Sequence, residues 1–295
     1  MLKDSRFLPI IASELLKPYL CWAWCGIAND ITPMEFSTLK IQLGESVAWI
    51  NLDRSEVRNA LNARMISELT EVFEWLDSRD DVRVVVLRGN GPVFCAGADL
   101  ADMKAMIAYS HDENLADANR LSRLFQTIYF CNKAVIVNVH GACMGGANGI
   151  VAAADIVLAA KETKFAFSEV RLGLIPATIA PFVWQRCGMK AAKELMLTGR
   201  SFTAEEALSF DLVNRVVDES ELLDAERRYI AYFMQASPAA VAQCKRLLRT
   251  VSGRDNPYDP VFQITSEWIA AQRVSQEGQE GLAAFFEKRK PEWSR

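Results

Sequence analysis

Basic charge and histidine are both scarce in this sequence. Its 295 residues include 33 Lys and Arg against 37 Asp and Glu, together with two histidines. The resulting net charge of −4 argues against a general nucleic-acid-binding protein, because such proteins normally present a basic face. His111 and His140 are the only histidines that could complete a zinc site with Cys21 and Cys25, so no metal site is predicted.

Long apolar runs and CxxC pairs are also missing. The seven cysteines are odd in number, and most of them lie in apolar runs, as buried free thiols do. This pattern is typical of a reducing compartment rather than of a disulfide framework, and we expect a cytoplasmic protein. No apolar stretch reaches the ~20 residues that a helix needs to cross a bilayer, so no membrane association is predicted.

Linkers rich in proline, glycine or serine are absent as well, which predicts one catalytic domain. Residues 1–33 precede the regular pattern, and we expect them to be an N-terminal extension that the fold does not require. The predicted catalytic core covers residues 34–219. Residues 220–295 are expected to form a C-terminal helical region, with breaks near residues 237–238 and 253–260.

The core region alternates short apolar strands with amphipathic helices. A helix is predicted over residues 63–76, with Asn62 as its N-cap. The runs that read as strands are residues 38–44, 45–52, 82–87, 134–139, 156–159, 164–167 and 213–217. Because helical segments separate most of these strands, the pattern predicts an α/β core with parallel pairing.

Two of the buried strands run into a turn of small residues and then into a helix. We call these segments the first junction (residues 86–100) and the second junction (residues 139–149). The N–H groups at the start of a helix have no internal partners, and two of them on adjacent strands can converge on one oxygen. Neither junction carries a GxGxxG motif or a Walker lysine, which argues against a nucleotide site. Tight packing alone also explains small residues at either junction.

Five segments, in this order, resemble the enoyl-CoA hydratase/isomerase (crotonase) superfamily: residues 58–62 (RNALN), 94–100 (FCAGADL), 141–149 (GACMGGANG), 167–176 (FSEVRLGLIP) and 280–289 (EGLAAFFEKR). The resemblance implies an α/β fold, a crotonase-like spiral of repeated ββα units with a C-terminal helical region. It also implies a homotrimer or a dimer of trimers. The implied ligand is an acyl-CoA thioester, with coenzyme A as part of the substrate and no metal or redox cofactor.

The same resemblance assigns roles to individual residues. It places the two oxyanion-hole donors on the N–H groups of Ala98 and Gly146, and the catalytic carboxyl on Glu169. Substrate or CoA contacts are expected from Arg58, Ala60, Leu61, Ala96, Asp99, Leu100 and Gly145. From its position, Asp99 is also expected to cap the helix that begins there.

Gly149 departs from the family pattern. Hydratases that use two glutamates carry the first one at this position, so Asn148 and Gly149 become the candidate water-positioning residues, with helix capping as the other reading of Asn148. Residues 168–171 and 175–181 resemble bacterial methylglutaconyl-CoA-type hydratases. We therefore expect an enoyl-CoA hydratase, a hydro-lyase, acting on a branched or carboxylated acyl chain. The alternatives are a double-bond isomerase that uses Glu169 alone and a non-catalytic acyl-CoA-binding homologue.

Three other residues near the junctions are expected to have structural roles. His140 ends a buried strand and is interpreted as a structural histidine rather than a base. Cys95 and Cys143 lie in the two junctions, and we expect them to be small packing residues rather than nucleophiles.

Overall fold

Two sheets form the centre of the computed structural model, which describes residues 36–294. The strands are β1 Leu39–Gly44, β2 Val47–Leu52, β3 Val84–Gly89, β4 Ala134–Val139, β5 Ala142–Met144, β6 Ile156–Ala160, β7 Lys164–Ala166, β8 Ser201–Thr203 and β9 Arg215–Val217. The larger sheet has the order β1-β2-β3-β4-β6-β9, and the smaller has the order β5-β7-β8. In the larger sheet only β1 and β2 are antiparallel, which confirms the predicted parallel core.

Helices cover the larger sheet and make up most of the C-terminal region. They are α1 Ala63–Asp77, α2 Leu100–Met106, α3 His111–Phe130, α4 Ala147–Ala153, α5 Ala180–Thr198, α6 Ala204–Ser209, α7 Leu222–Gln235, α8 Pro238–Val251, α9 Pro260–Val274 and α10 Gln276–Phe286. Asn62 caps α1 as predicted, its side chain accepting the Met65 N–H. None of the helices within residues 36–294 combines the length and apolarity needed to cross a membrane.

The apolar runs of β3 and β4 are explained by burial on both faces. Alternate residues of β3, such as Val85 and Leu87, pack into the main core with α1 and α3. The residues between them, Val84 and Val86, pack into a second core under α7. Fully burying such side chains stabilises the fold by about 1.5–3 kcal/mol each, and it fixes the register of the central strands.

The parallel pairing of β3, β4 and β6 decides where the two junctions lie. Val84 pairs with Ala134, and Leu87 pairs with Val137, so the carboxyl ends of β3 and β4 meet at one edge of the sheet. The first junction leaves β3 and the second junction leaves β4. Both segments therefore extend from the same edge, where open α/β sheets usually bind ligands.

The C-terminal helices belong to the same compact unit, which spans Phe36–Arg295. Helix α9 packs along α3, and α10 contacts a 3₁₀ turn at Glu169–Leu172. The predicted breaks between these helices are present, and a further one occurs at Ser275 between α9 and α10. The predicted extension, residues 1–33, lies outside the described residues.

Candidate active site

The first junction is held against the loop that follows β2. Leu61 pairs with Ala98 as in a parallel strand pair: the Leu61 N–H donates to the Gly97 carbonyl at 2.7 Å, and the Asp99 N–H donates to the Leu61 carbonyl at 3.0 Å. The Ala96 N–H donates to the Arg58 carbonyl at 3.0 Å. In a parallel pair the N–H of the bridged residue points to the opposite side, so the Ala98 N–H points away from Leu61.

A buried asparagine holds this loop in place. Asn59 has a positive φ of 54°, a conformation in which asparagine is favoured over most residues. Its side-chain nitrogen donates to the carbonyls of Asn90, Val93 and Phe94 at 2.8–3.1 Å. Its side-chain oxygen accepts the Arg54 N–H at 3.0 Å. Asn59 was not singled out from the sequence, although an asparagine within the small-residue segment 58–62 was a usable signal.

The second junction is connected to the first and is supported from within by Asn148. Cys95 and Cys143 form a parallel bridge between the two junctions. The buried Asn148 side chain donates through its nitrogen to the carbonyls of Cys143, Gly145 and Ala166 at 3.0–3.3 Å. The side-chain nitrogen therefore fixes the loop, while the buried Asn148 oxygen has no partner among the described residues.

Two main-chain N–H groups remain unpaired where the junctions meet. Within residues 36–294, no hydrogen bond has the Ala98 or the Gly146 N–H as its donor. The junctions are in close contact beside these donors, because a Cβ added to Gly97 would lie 2.8 Å from the Met144 carbonyl oxygen. Two unpaired main-chain donors on neighbouring segments are what an oxyanion hole needs, and this assignment of Ala98 and Gly146 stays a prediction.

Glu169 lies beside this pair of N–H groups. It opens the 3₁₀ turn after β7, which is capped by Gly173 in the left-handed conformation (φ 68°). A Cβ built on Gly145 would lie 3.4 Å from Glu169 Oε1. Because Gly145 immediately precedes the Gly146 donor, the carboxyl group lies next to the unpaired N–H groups.

The Glu169 carboxyl is prepared for proton transfer. Its Oε2 is inaccessible to solvent and has no hydrogen-bond partner in the described structure. Desolvation by burial raises the pKa of Glu169 to about 7, against a small lowering by its own main-chain N–H. A carboxyl with a pKa near neutrality both accepts and returns a proton readily.

The arrangement of two main-chain donors and one desolvated carboxyl is accompanied by similarity over most of the chain. The sequence model of the family described as enoyl-CoA hydratase/isomerase matches residues 42–295. The chain belongs to the enoyl-CoA hydratase/isomerase family. The predicted family, the predicted crotonase-like fold and the predicted class of enzyme, an enoyl-CoA hydratase-like lyase, are thereby confirmed.

Individual members of the family are similar along nearly their whole length. A solved enoyl-CoA hydratase from Shewanella pealeana is 40% identical with a TM-score of 0.72, covering 88% of this chain and 97% of that chain. A carnitinyl-CoA dehydratase from Salmonella arizonae is 34% identical over 262 residues, 87% of this chain and 98% of the relative. A short-chain-enoyl-CoA hydratase from Clostridium acetobutylicum is 29% identical over 265 residues, 88% of this chain and 98% of the relative.

Gly149 in this family member lies against large side chains. A Cβ at Gly149 would lie 2.5 Å from Phe125 Cζ and 2.6 Å from Ile179 Cγ2. Real Cβ atoms essentially never approach other atoms this closely. The space next to Gly149 is therefore filled by Phe125 from α3 and by Ile179, and a glutamate there requires these buried side chains to move.

We expect Gly149→Glu to destabilise the protein without adding a second working carboxyl. Overpacking alone costs typically about 1–3 kcal/mol, and burying an unpaired carboxyl adds to this. Urea unfolding and the hydration rate measure the two effects. Ala239→Glu adds the same group at an exposed position of α8 and should change stability by less than about 0.5 kcal/mol. Normal stability combined with faster hydration in Gly149→Glu would contradict the packing argument.

The residues predicted to bind the substrate or CoA fall into two groups. Arg58 and Leu100 are exposed beside the first junction, whereas Ala60 and Leu61 are buried. Ala96 and Gly145 are half-buried next to the donors, and no ligand contact of any of these residues is tested by the structure. The same is true of Asp99, which caps α2 as predicted by accepting the Ala101 N–H at 2.8 Å and forms an ion pair with Arg54.

The other residues near the junctions have the structural roles expected for them. His140 contacts the Gly91 carbonyl through Nε2 at 2.9 Å. Burial raises the pKa of the Cys95 thiol to about 12 and that of Cys143 well above its ordinary value. Since the thiolate is the nucleophilic form, neither cysteine is suited to nucleophilic catalysis.

Proposed function

We propose that this protein is a hydratase that adds water across the 2,3 double bond of an acyl-CoA thioester, with Glu169 as its single catalytic carboxyl. The observation that carries this proposal is the buried, unpaired Glu169 Oε2 with a pKa near 7. The carboxyl is adjacent to the unpaired N–H groups of Ala98 and Gly146. No step of the reaction requires a metal or a redox cofactor.

In the proposed reaction the thioester oxygen accepts hydrogen bonds from the two main-chain donors. Glu169, as carboxylate, takes a proton from a water molecule while that water's oxygen forms a bond to C3. The double-bond electrons move toward the thioester, whose oxygen carries the negative charge. Glu169 then gives its proton to C2, and the C=O bond is restored.

The two parts of the site contribute on comparable scales. Removing one oxyanion donor typically costs about 2.7–4 kcal/mol of transition-state stabilisation. A positioned general acid–base group contributes typically about 10²–10⁴-fold in rate. Main-chain donors add the advantage that they do not titrate and are already oriented by the fold.

A double-bond isomerase is the second candidate, and Gly149 favours it. Isomerisation of a 3-enoyl-CoA needs one carboxyl to remove a proton from C2 and return it to C4, with the same oxyanion stabilisation. It does not need a second carboxyl to hold water. The close packing of Phe125 and Ile179 against Gly149 therefore fits isomerisation directly, whereas hydration needs another group to position the water.

Incubation with crotonyl-CoA and, separately, with a 3-enoyl-CoA distinguishes the candidates by the absorbance of the conjugated thioester. Hydration lowers the absorbance of crotonyl-CoA, which is the result we expect. Formation of conjugated product from the 3-enoyl substrate without loss of crotonyl-CoA would assign the isomerase. No change with either substrate would indicate the third alternative, an acyl-CoA-binding homologue without catalysis.

A branched or carboxylated acyl group is the proposed substrate class. The support is the resemblance of residues 168–171 and 175–181 to methylglutaconyl-CoA-type hydratases. The cytoplasmic location inferred from the cysteine content stays a prediction.

We expect the protein to form a homotrimer or a dimer of trimers through its C-terminal helices. Large apolar side chains are exposed along α8 and α9: Leu247, Leu248, Val251, Ile264 and Trp268. Exposed apolar patches of this kind mark interaction surfaces. Light scattering should give three or six times the chain mass, and Leu248→Lys should lower it. A monomer at every concentration would contradict the proposal.

A further inference from the structure

A buried arginine near the active site leaves one side of its guanidinium unused. Arg273, in the last turn of α9, is 8% exposed. Its Nη1 donates to Asp117 Oδ2 at 2.8 Å and lies 3.5 Å from the Asn114 side-chain oxygen. Its Nε is buried and has no partner within residues 36–294. Its Nη2 likewise makes no hydrogen bond within that part of the chain, so the Nε/Nη2 edge is free.

The charges around Arg273 leave a net positive centre. Asp117 accepts from Arg273 through Oδ2 and from Arg120 through Oδ1 at 3.2 Å. Both oxygens of Asp117 are therefore engaged by the two guanidinium groups. The two guanidinium groups and one carboxylate sum to a formal charge of +1, although the Arg120 side chain is 52% exposed and is screened by water.

Two contacts made by neighbouring residues place the helices that carry Asp117 and Arg273 beside the elements of the candidate site. On α3, Asp117 lies about one helical turn, ~5.4 Å, before Leu121. The side chain of Leu121 would lie 3.8 Å from a Cβ on Gly146. On α9, the neighbouring Gln272 donates to the Gly173 carbonyl at 2.7 Å, and Gly173 caps the turn that carries Glu169.

The side chains packed between these elements are apolar. Ala118, Ala177 and Ile269 form a small buried cluster, with Leu174 and Ile175 packed against it. The cluster joins α3, α9 and the segment after the Glu169 turn. Apolar side chains therefore line the three elements that carry Leu121, Arg273 and the Glu169 turn.

We propose that the substrate's acyl chain ends in a carboxylate, which the free Nε/Nη2 edge of Arg273 binds. This inference rests on the proposed function, because it assumes that the thioester lies at Ala98 and Gly146. The Nε/Nη2 edge of arginine offers two parallel N–H donors that match the two oxygens of a carboxylate. A neutral acyl tail leaves both donors unpaired in a buried site, which costs binding energy.

The test is a binding measurement that needs no turnover. Isothermal titration of the wild-type protein with glutaryl-CoA and with valeryl-CoA compares two saturated five-carbon acyl groups, of which only the first carries a terminal carboxylate. We expect glutaryl-CoA to bind about 10–100-fold more tightly, the range expected for a charge-assisted hydrogen-bonded pair. Arg273→Lys keeps a cation for Asp117 but lacks the two-donor edge, so it should remove most of this preference.

Two controls separate the inference from a purely structural role for Arg273. Arg120→Lys alters the more exposed partner of Asp117 (52% exposed side chain) and should leave the glutaryl-CoA preference within about threefold of wild type. Valeryl-CoA binding should be unchanged in Arg273→Lys, whereas a general loss of packing would weaken both ligands.

The possible outcomes are distinct. Equal binding of the two acyl-CoA ligands by the wild-type protein overturns the inference, even if crotonyl-CoA is hydrated and the proposed function stands. A glutaryl-CoA preference that persists in Arg273→Lys overturns the role of Arg273. If Arg273→Lys does not fold, the wild-type comparison still decides whether a carboxylated acyl chain is preferred. A glutaryl-CoA preference without any hydration would support this inference while rejecting the proposed reaction.

Discussion

We expect Glu169→Gln to lower kcat for hydration by about 10²–10⁴-fold, the range for loss of a positioned acid–base group. Glutamine keeps the shape of the side chain but cannot exchange a proton, and the main-chain donors of Ala98 and Gly146 are untouched. KM should therefore change far less than kcat. Crotonyl-CoA absorbance measures the rate. The control is Glu162→Gln, which removes an exposed carboxylate and should retain wild-type turnover.

The pH dependence should identify Glu169 as the group that titrates. Wild-type kcat/KM is expected to rise with pH up to about 7, the pKa of Glu169, because the carboxylate form accepts the water proton. Above that pH the profile should level off. The residual activity of Glu169→Gln should lack this inflection. Turnover near the wild-type level in Glu169→Gln would eliminate the proposed role.

As pH rises, the contribution of Glu169 to folding stability should fall while kcat/KM increases. The pKa of Glu169 is raised from 4.5 to about 7 in the folded protein, so between these values the folded state binds the proton that the unfolded state has lost. This group's contribution to stability is present below about pH 4.5 and is lost as pH rises through about 7. Glu169→Gln has no such loss, and at pH 8 it should be at least as stable as wild type.

We expect Gly97→Ala to lower kcat by about 10²–10³-fold, as for loss of one oxyanion donor. Gly97 has a φ of +94°, and its added Cβ would meet the Met144 carbonyl oxygen at 2.8 Å. Gly97 precedes the Ala98 donor, and Met144 lies two residues before the Gly146 donor. A single methyl group therefore pushes the two junctions apart where their N–H groups must converge.

Gly188→Ala is the matched control for Gly97→Ala. Gly188 also has a positive φ, +71°, but nothing lies within 4 Å of an added Cβ. Both variants place an alanine at a positive φ, which costs of order 1–3 kcal/mol, and Gly97→Ala should lose further stability in thermal unfolding because of its contact with Met144. Only Gly97→Ala should lose turnover. A folded Gly97→Ala enzyme with normal kcat would show that the two junctions do not form the oxyanion hole together.

Much of the fold was predictable because its strands carry strong local signals. The apolar runs of β3 and β4 are buried on both faces, and the helical period of residues 63–76 is fully reflected in α1. Strands β5 and β8 were not predicted, because their three residues each do not lie in an apolar or alternating run, as those of the equally short β7 and β9 do. Such short segments offer no periodicity, and their pairing depends on contacts between distant parts of the chain.

The candidate site was predictable in its chemistry but not in its supporting contacts. The two junctions stood out because small residues follow buried strands, whereas Glu169 and the two donor positions came from the resemblance to the crotonase superfamily. The contacts of Gly149 with Phe125 and Ile179 join segments well separated in sequence. The pairing of Arg273 with Asp117 spans 156 positions. Contacts of this kind depend on how the elements pack together, which local patterns do not encode.

The filled space beside Gly149 has an evolutionary consequence. A glutamate at position 149 is accommodated more easily if Phe125 is first replaced by a smaller residue. However, a phenylalanine-to-alanine substitution in a core typically lowers stability by about 3–5 kcal/mol. Substituting Gly149 first incurs the steric clash instead. Either order of the two changes therefore passes through a destabilised intermediate, which would keep a protein that uses one carboxyl from readily acquiring a second at this position.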